Sequence, residues 1–373
     1  MSLINSLSIV GISVFLFLLA PKVIIDSKVK VINEEVSAPP NEVKRLSWNE
    51  VDRKFPNQLI GPEAFTIDAI TGDIYTGTAE GMIWKLNREL TTIEPIIRVG
   101  EDHPNCGSEH VAHICGRVLG LKLFNSETLI VADSYRGIIS INLKTKIKEI
   151  LVEKDKSEMT KSLKLFNSLD ISTNGVIYFT ISSLKWSLKD FIYSILEGDN
   201  SGRIYSFSMF TKELKILASD LYLPSGLALD PDGKSLIVSE VNKRRLIKLD
   251  LSKQSNNIEV IMDKLNGFPA NVRGDLRNNY YLAMPMTGII ETLSFLYKYP
   301  IINYSIAYLV PKWAILKLIG SDSKIYKFDD HGRIIAIIDG THPGTDFVTE
   351  AYEADSKILL GSLSHPYLDV IKV

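Results

Sequence analysis

One short strand motif recurs along the chain and constrains the fold more than any other feature. It is rich in β-branched residues and ends in small or polar ones: IYTG from Ile74, LIVAD from Leu129, IYFT from Ile177, LIVSE from Leu236, YYLAM from Tyr280 and ILLGS from Ile358. A second short strand precedes each copy across a turn such as Thr173-Asn174-Gly175 or Pro231-Asp232-Gly233. A third follows most of them, as in GMIWKL from Gly81, GRIYSF from Gly202 and KIYKF from Lys324. Strand, turn, strand, turn, strand at a period of about 50 residues is the signature of a propeller blade. The sequence therefore predicts an all-β, six-bladed β-propeller over residues 47–373. Alternation along each strand would let neighbouring blades bury each other's faces.

Charge and composition narrow the function. Lys and Arg number 42 against 44 Asp and Glu, a net charge of −2, which gives no electrostatic footprint for nucleic acid. At the amino terminus, no charged side chain occurs from Ser2 to Pro21, and Leu7 to Ala20 is almost wholly apolar. With Val23, Ile24 and Ile25 the run is just long enough to cross a hydrocarbon core of about 30 Å. It has no basic start and no A-x-A cleavage site, so residues 1–25 are expected to form an uncleaved signal-anchor helix and residues 26–46 a polar tether. Lys22, Lys28 and Lys30 follow the run, and a literal positive-inside count would place the carboxyl side in the cytoplasm. The cysteines and the sequon described below favour the opposite orientation: a single-pass membrane protein with its propeller in the endoplasmic reticulum lumen or outside the cell.

In a propeller the first strand of each blade lines the central channel. Counting back from the recurrent strands gives the axial positions Glu63, Leu119, Asn167, Ser225, Asn271 and Thr349. Oxygen-bearing side chains converging on one axis suit a hard cation such as Ca²⁺, which takes carboxylate, amide carbonyl, backbone and water oxygens. They could equally satisfy strand ends and channel waters. The metal set expected on the first reading is Glu63, Asn167, Ser225 and Asn271.

The segments GPEAFTID, CGRVLGLKL, FNSLDISTNGVIYFTISSLKW, LPSGLALDPDGKSLIVSE and NGFPANVR, in this order, resemble the strictosidine synthase-like family over nearly everything from Ser47 onward. The resemblance implies a membrane-anchored propeller of type II topology. It also implies kinship to calcium-dependent paraoxonases and an arylesterase-like hydrolase activity on small esters or lactones. The chain departs from the family's calcium ligands at Ser225 and Ala270, where an Asn and an Asp are expected, and has Ile181 for a further Asp. Thr349 aligns with the catalytic Glu of the plant synthases, which makes strictosidine synthesis improbable. No residue stands out as a general base; Glu350, Asp133 and Glu240 are candidates by being acidic at strand ends. A propeller that has lost its chemistry and serves as a binding or scaffold protein at the membrane is the alternative.

Cys106 and Cys115 are the only cysteines. A lumenal location and the family resemblance both favour a disulfide; the competing reading joins them with His110 and His113 as a zinc set. A helical insertion is expected at about 285–320, before the last blade, capping the channel mouth against the propeller rim or touching the bilayer. It carries the only N-x-S/T sequon, at Asn303, a candidate glycosylation site whose modification would forbid membrane burial.

Overall fold

The computed structural model describes residues 23–26, 36–37, 43–47 and 51–372, apart from 162, 254–256, 276, 289, 319–321 and 341–346. The expected signal-anchor helix falls almost entirely outside these residues, as does most of the tether. Among the described residues no helix is long and apolar enough to cross a membrane.

Six antiparallel sheets carry the chain, and their inner strands begin at Phe65, Val118, Phe166, Pro224, Val272 and Glu350. The predicted six-bladed propeller is the observed fold. Blades one to four are each four strands in sequence order. The sixth blade is completed from the other end of the chain: Asp52–Lys54 pairs antiparallel with Leu368–Lys372, Arg53 standing opposite Asp369. Arg53 reinforces that seam with a 3.2 Å ion pair to the fully buried Asp369 carboxylate. A further strand, Lys44–Ser47, adds in parallel to the outer edge of the fifth blade along Ile334–Gly340.

The recurrent strands are apolar throughout because both of their faces are buried. In LIVAD, Leu129 and Val131 pack toward the first blade, whereas Ile130 and Ala132 pack toward the third. Leu236 and Val238 likewise face the third blade while Ile237 faces the fifth. Successive side chains point to opposite faces, so one strand serves two junctions. Among the described residues six apolar clusters result, one at each blade junction. Each fully buried Leu, Ile or Val contributes about 1.5–3 kcal/mol.

Glycine lets the inner strands approach at the axis. A Cβ at Gly226 in the fourth blade would lie 2.2 Å from the Val272 backbone nitrogen and 2.6 Å from the Asn271 Cα. Gly120 stands in the same relation to the third blade, 2.7 Å from the Asn167 carbonyl oxygen.

The helical insertion comprises Ile290–Lys298, Pro300–Leu309 and Lys312–Leu318. It lies inside the fifth blade, between the second strand (Asn279–Met284) and the third (Ser323–Asp329), which still pair with each other. With helix Phe191–Glu197 of the third blade it builds a cap whose core includes Ile192, Tyr193, Leu293, Leu296, Tyr297 and Ala307. Asn303 belongs to this packing. It is 5% exposed and its amide nitrogen, the atom a glycan would modify, donates to the Leu196 carbonyl. The sequon at Asn303 is therefore a packing residue in this fold rather than an exposed glycan acceptor. Cys106 and Cys115 form a disulfide, which consumes both thiols and removes the alternative zinc set.

Gly226→Ala forces a methyl group into the backbone of the fifth blade and is expected to cost about 1–3 kcal/mol or more. Denaturant unfolding measures the loss; an unchanged midpoint would mean that the fourth and fifth blades do not meet this closely.

Candidate functional site

The inner strands deliver their first polar residues to one end of the channel. Glu63, from the loop entering the first blade, is 4% exposed and accepts hydrogen bonds on both oxygens. Asn271 Nδ2 of the fifth blade donates to Oε1 at 3.2 Å, and Thr349 Oγ1 of the sixth donates to Oε2 at 2.7 Å. Across the axis Asn167 Nδ2 of the third blade donates to Ser225 Oγ of the fourth at 3.3 Å and to Ser182 Oγ at 2.9 Å. The second blade supplies only the buried Leu119. Three of the four expected metal-site residues, Glu63, Asn167 and Ser225, line one cavity together with Thr349; Asn271 is not in its wall and joins the group through its hydrogen bond to Glu63. The remaining wall of the cavity is mostly apolar and includes Leu188, Phe191, Ile195, Phe268, Met286 and Phe347.

Burial pushes the Glu63 carboxyl up to about 7, against the lowering influence of the Arg117 guanidinium and the Thr349 hydroxyl. A buried carboxylate is costly in such a setting, so the site favours either a proton or a cation on Glu63. The Asn271 carbonyl oxygen, Oδ1, is buried and has no hydrogen-bond partner. An oxygen left unpaired beside a carboxylate is a feature that a hard cation would satisfy. The donor set fits a calcium ion in kind, being all oxygen, but holds a single carboxylate, and ligand charge count tunes affinity. Among the described residues no group of three or more His, Cys, Asp or Glu stands together.

The three acidic candidates for a general base are placed elsewhere. Asp133 is fully buried and accepts the backbone N–H groups of Arg117, Tyr135 and Arg136 at 2.6, 3.0 and 2.9 Å. Burial lifts it to about 6, but both oxygens are occupied in holding the turn. Glu240 accepts the Tyr222 N–H at 2.7 Å and pairs with Arg245. Neither lines the cavity. Glu350 lies nearby in the channel, paired with Arg273 Nε at 2.7 Å, and burial pushes it up to about 7 in opposition to that guanidinium.

Sequence reading missed Arg273, the residue that plugs the channel. Besides Glu350 it donates to Ser168 Oγ at 3.0 Å and to the Leu227 carbonyl at 3.2 Å, so it joins the third, fourth, fifth and sixth blades. Its signal was present: it lies two residues after Asn271 on an inner strand, hence on the same face.

A profile of the strictosidine synthase family matches residues 167–254, the third and fourth blades. The adipocyte plasma membrane-associated protein of Danio rerio is 32% identical over 331 residues, covering 87% of this chain and 78% of that one. The chain belongs to the strictosidine synthase-like family. The human adipocyte plasma membrane-associated protein is 30% identical over 327 residues, 86% of this chain and 77% of its own. Strictosidine synthase-like 6 of Arabidopsis thaliana is 29% identical over 317 residues, 84% and 80%. Two solved structures share the fold of this strictosidine synthase-like chain. One is a gluconolactonase from Xanthomonas campestris, with TM-score 0.57, 14% identity and coverage of 86% and 88%. The other is a calcium-binding regucalcin from Agrobacterium tumefaciens, with TM-score 0.57, 14% identity and coverage of 88% and 95%. At these identities they speak to the propeller architecture alone.

The raised Glu63 value sets a pH dependence. The folded carboxyl keeps its proton to about pH 7, whereas an unfolded one releases it near 4.5. In that window the folded state binds more protons, so stability in chelator is greatest below it and falls as pH rises through it. Glu63→Gln, which mimics the protonated group, is expected to flatten part of this slope and to raise stability near pH 8 by about 2 kcal/mol. Urea unfolding across the range tests this, and an unaltered slope would contradict the assigned burial.

Proposed function

We propose that this chain is a membrane-associated hydrolase of small esters or lactones, with a weak calcium site on the propeller axis. The observation that carries the reading is the Glu63 carboxyl at the floor of an apolar cavity, beside the unpartnered Asn271 Oδ1. Glu63, Asn167, Asn271 and Ser225 would hold the ion, with Thr349 adjoining them. Bound calcium would supply Lewis-acid polarisation of a carbonyl oxygen and charge stabilisation of the oxyanion formed on it. The protein's own part is to bind and dehydrate the substrate: Leu188, Phe191, Phe268 and Phe347 offer apolar contact and exclude water. The amides of Asn167 and Asn271 and the hydroxyl of Ser225 fix polar atoms at the floor. Loss of the proton from Glu63 accompanies cation binding, so affinity for the ion rises with pH through about 7.

The named activities of the gluconolactonase and the calcium-binding regucalcin support this reading by analogy of fold. The plasma membrane association in the names of the sequence relatives supports the location, as does the apolar run at residues 7–20. A single-pass topology with the propeller in the lumen or outside the cell is part of the same proposal. One observation favours the alternative of a non-catalytic binding propeller: both Glu63 oxygens already accept hydrogen bonds, from Asn271 Nδ2 and Thr349 Oγ1.

Chelator-stripped protein is expected to gain thermal stability on addition of calcium, more near pH 8 than near pH 6, and Glu63→Gln should abolish the gain. Aryl ester or lactone turnover should vanish in chelator, return with calcium and fall by about 100-fold in Glu63→Gln. A calcium-dependent rise in melting temperature without turnover of either substrate class would select the binding propeller. No response to calcium would remove the axial site.

A further inference from the structure

We propose that the helical cap is a membrane-docking face that seats the mouth of the cavity against the lipid bilayer. The cap carries an unusual concentration of uncovered apolar side chains. Phe295, Ile301, Leu309 and Trp313 are 52%, 82%, 44% and 57% exposed, and Tyr299, Ile302 and Leu316 join them. These seven lie within one stretch of 22 residues, whereas the other exposed large apolar side chains among the described residues are scattered over the rest of the chain. Helix Pro300–Leu309 has no charged residue, buries Asn303 and Ala307 on one face and presents Ile301, Ile302 and Leu309 outward. Lys298, Lys312 and Lys317 flank it, and the Lys317 ammonium lies 5.3 Å from the Trp313 ring centroid. Apolar face, aromatic rings and flanking lysines are the composition of a helix lying in a membrane interface. Contiguous exposed apolar surface of this kind marks an interaction site rather than ordinary surface.

The occupant is identified by where the rest of the chain leads. The uncharged run from Ser2 to Pro21 continues into Val23–Asp26, and these residues pack on the cap itself. Ile25 is 4% exposed within the cap core beside Ile192, Leu293 and Ile315. The Asp26 N–H donates to the Glu197 carboxylate, which also holds Lys185 and the Trp186 indole N–H. Val23–Asp26, which follow the apolar run directly in sequence, are thereby held at the rim where the apolar helices are exposed, so a membrane reached by that run is also within reach of the cap. The cap core also contributes Ile195, Val241, Phe268 and Met286 to the cavity wall, so the cavity adjoins the core on which the exposed helices pack. A lipophilic ester or lactone would then enter from the membrane; this last step rests on the hydrolase reading, whereas the docking does not.

Site-directed spin labelling of the full-length chain in phosphatidylcholine vesicles tests the docking without recourse to activity. Ile301→Cys and Trp313→Cys carry labels on the cap, and Ile70→Cys and Phe210→Cys, 84% and 73% exposed elsewhere on the propeller, serve as references. Cap labels are expected to lose collisions with a water-soluble nickel chelate several-fold relative to the references and to gain collisions with oxygen. Adding Ile301→Glu to the Trp313-labelled chain should return that label toward water while melting temperature holds. Cap labels as open to nickel as the references would overturn the proposal. So would protection that disappears on dilution to one copy per vesicle, which would assign the face to a second copy of the chain.

Discussion

Closure of the ring is the constraint on which everything else depends. Asp52–Lys54 completes the blade that ends at Leu368–Lys372, so a strand from before the first blade and the last strand of the chain are held in one sheet. Only a closed ring gives every blade two neighbours, and only then can strands such as LIVAD be apolar on both faces without exposing either. The same closure brings Glu63 and Asn271, 208 residues apart, into direct hydrogen bonding.

What converges on the axis is electrostatically unusual. Three buried ionisable groups, Glu63, Glu350 and Arg273, come from the first, sixth and fifth blades. Arg273 and Glu350 compensate one another, and breaking such a pair by removing one partner costs about 3–5 kcal/mol. Glu63 has only neutral partners in hydrogen-bond contact, Asn271 and Thr349. It is the group with most to gain from a cation, in a cavity whose mostly apolar wall includes Leu and Phe side chains.

The architecture and the axial positions were legible in the sequence because both follow from periodicity. Strand spacing gave six blades, and the position of each inner strand gave Glu63, Asn167, Ser225 and Asn271 as neighbours. Apart from Arg273, which strand alternation places on the face of Asn271, what was missed has no periodic signature. Asp52–Lys54 is three polar residues whose role exists only once Leu368–Lys372 is beside it. The insertion reads as an interval between blades, yet the strands on either side of it pair within one sheet. Asp133 and Glu240 look like catalytic acids in a linear reading; turn amides and Arg245 claim them in three dimensions. The sequon at Asn303 meets the local pattern but lies on the buried face of its helix, which is decided by packing against Leu196.

The cap and the axis are parts of one arrangement, since the side chains that roof the cavity also form the core from which the exposed apolar helices project. The central claim is that the axis accepts a cation at Glu63. Anomalous diffraction from crystals grown with calcium tests it most directly. A calcium ion at Glu63 gives one anomalous peak on the axis, with oxygens of Glu63, Asn167 and Asn271 at about 2.3–2.6 Å. A peak-free axis, with Asn271 and Thr349 still hydrogen-bonded to the Glu63 carboxyl, would contradict it.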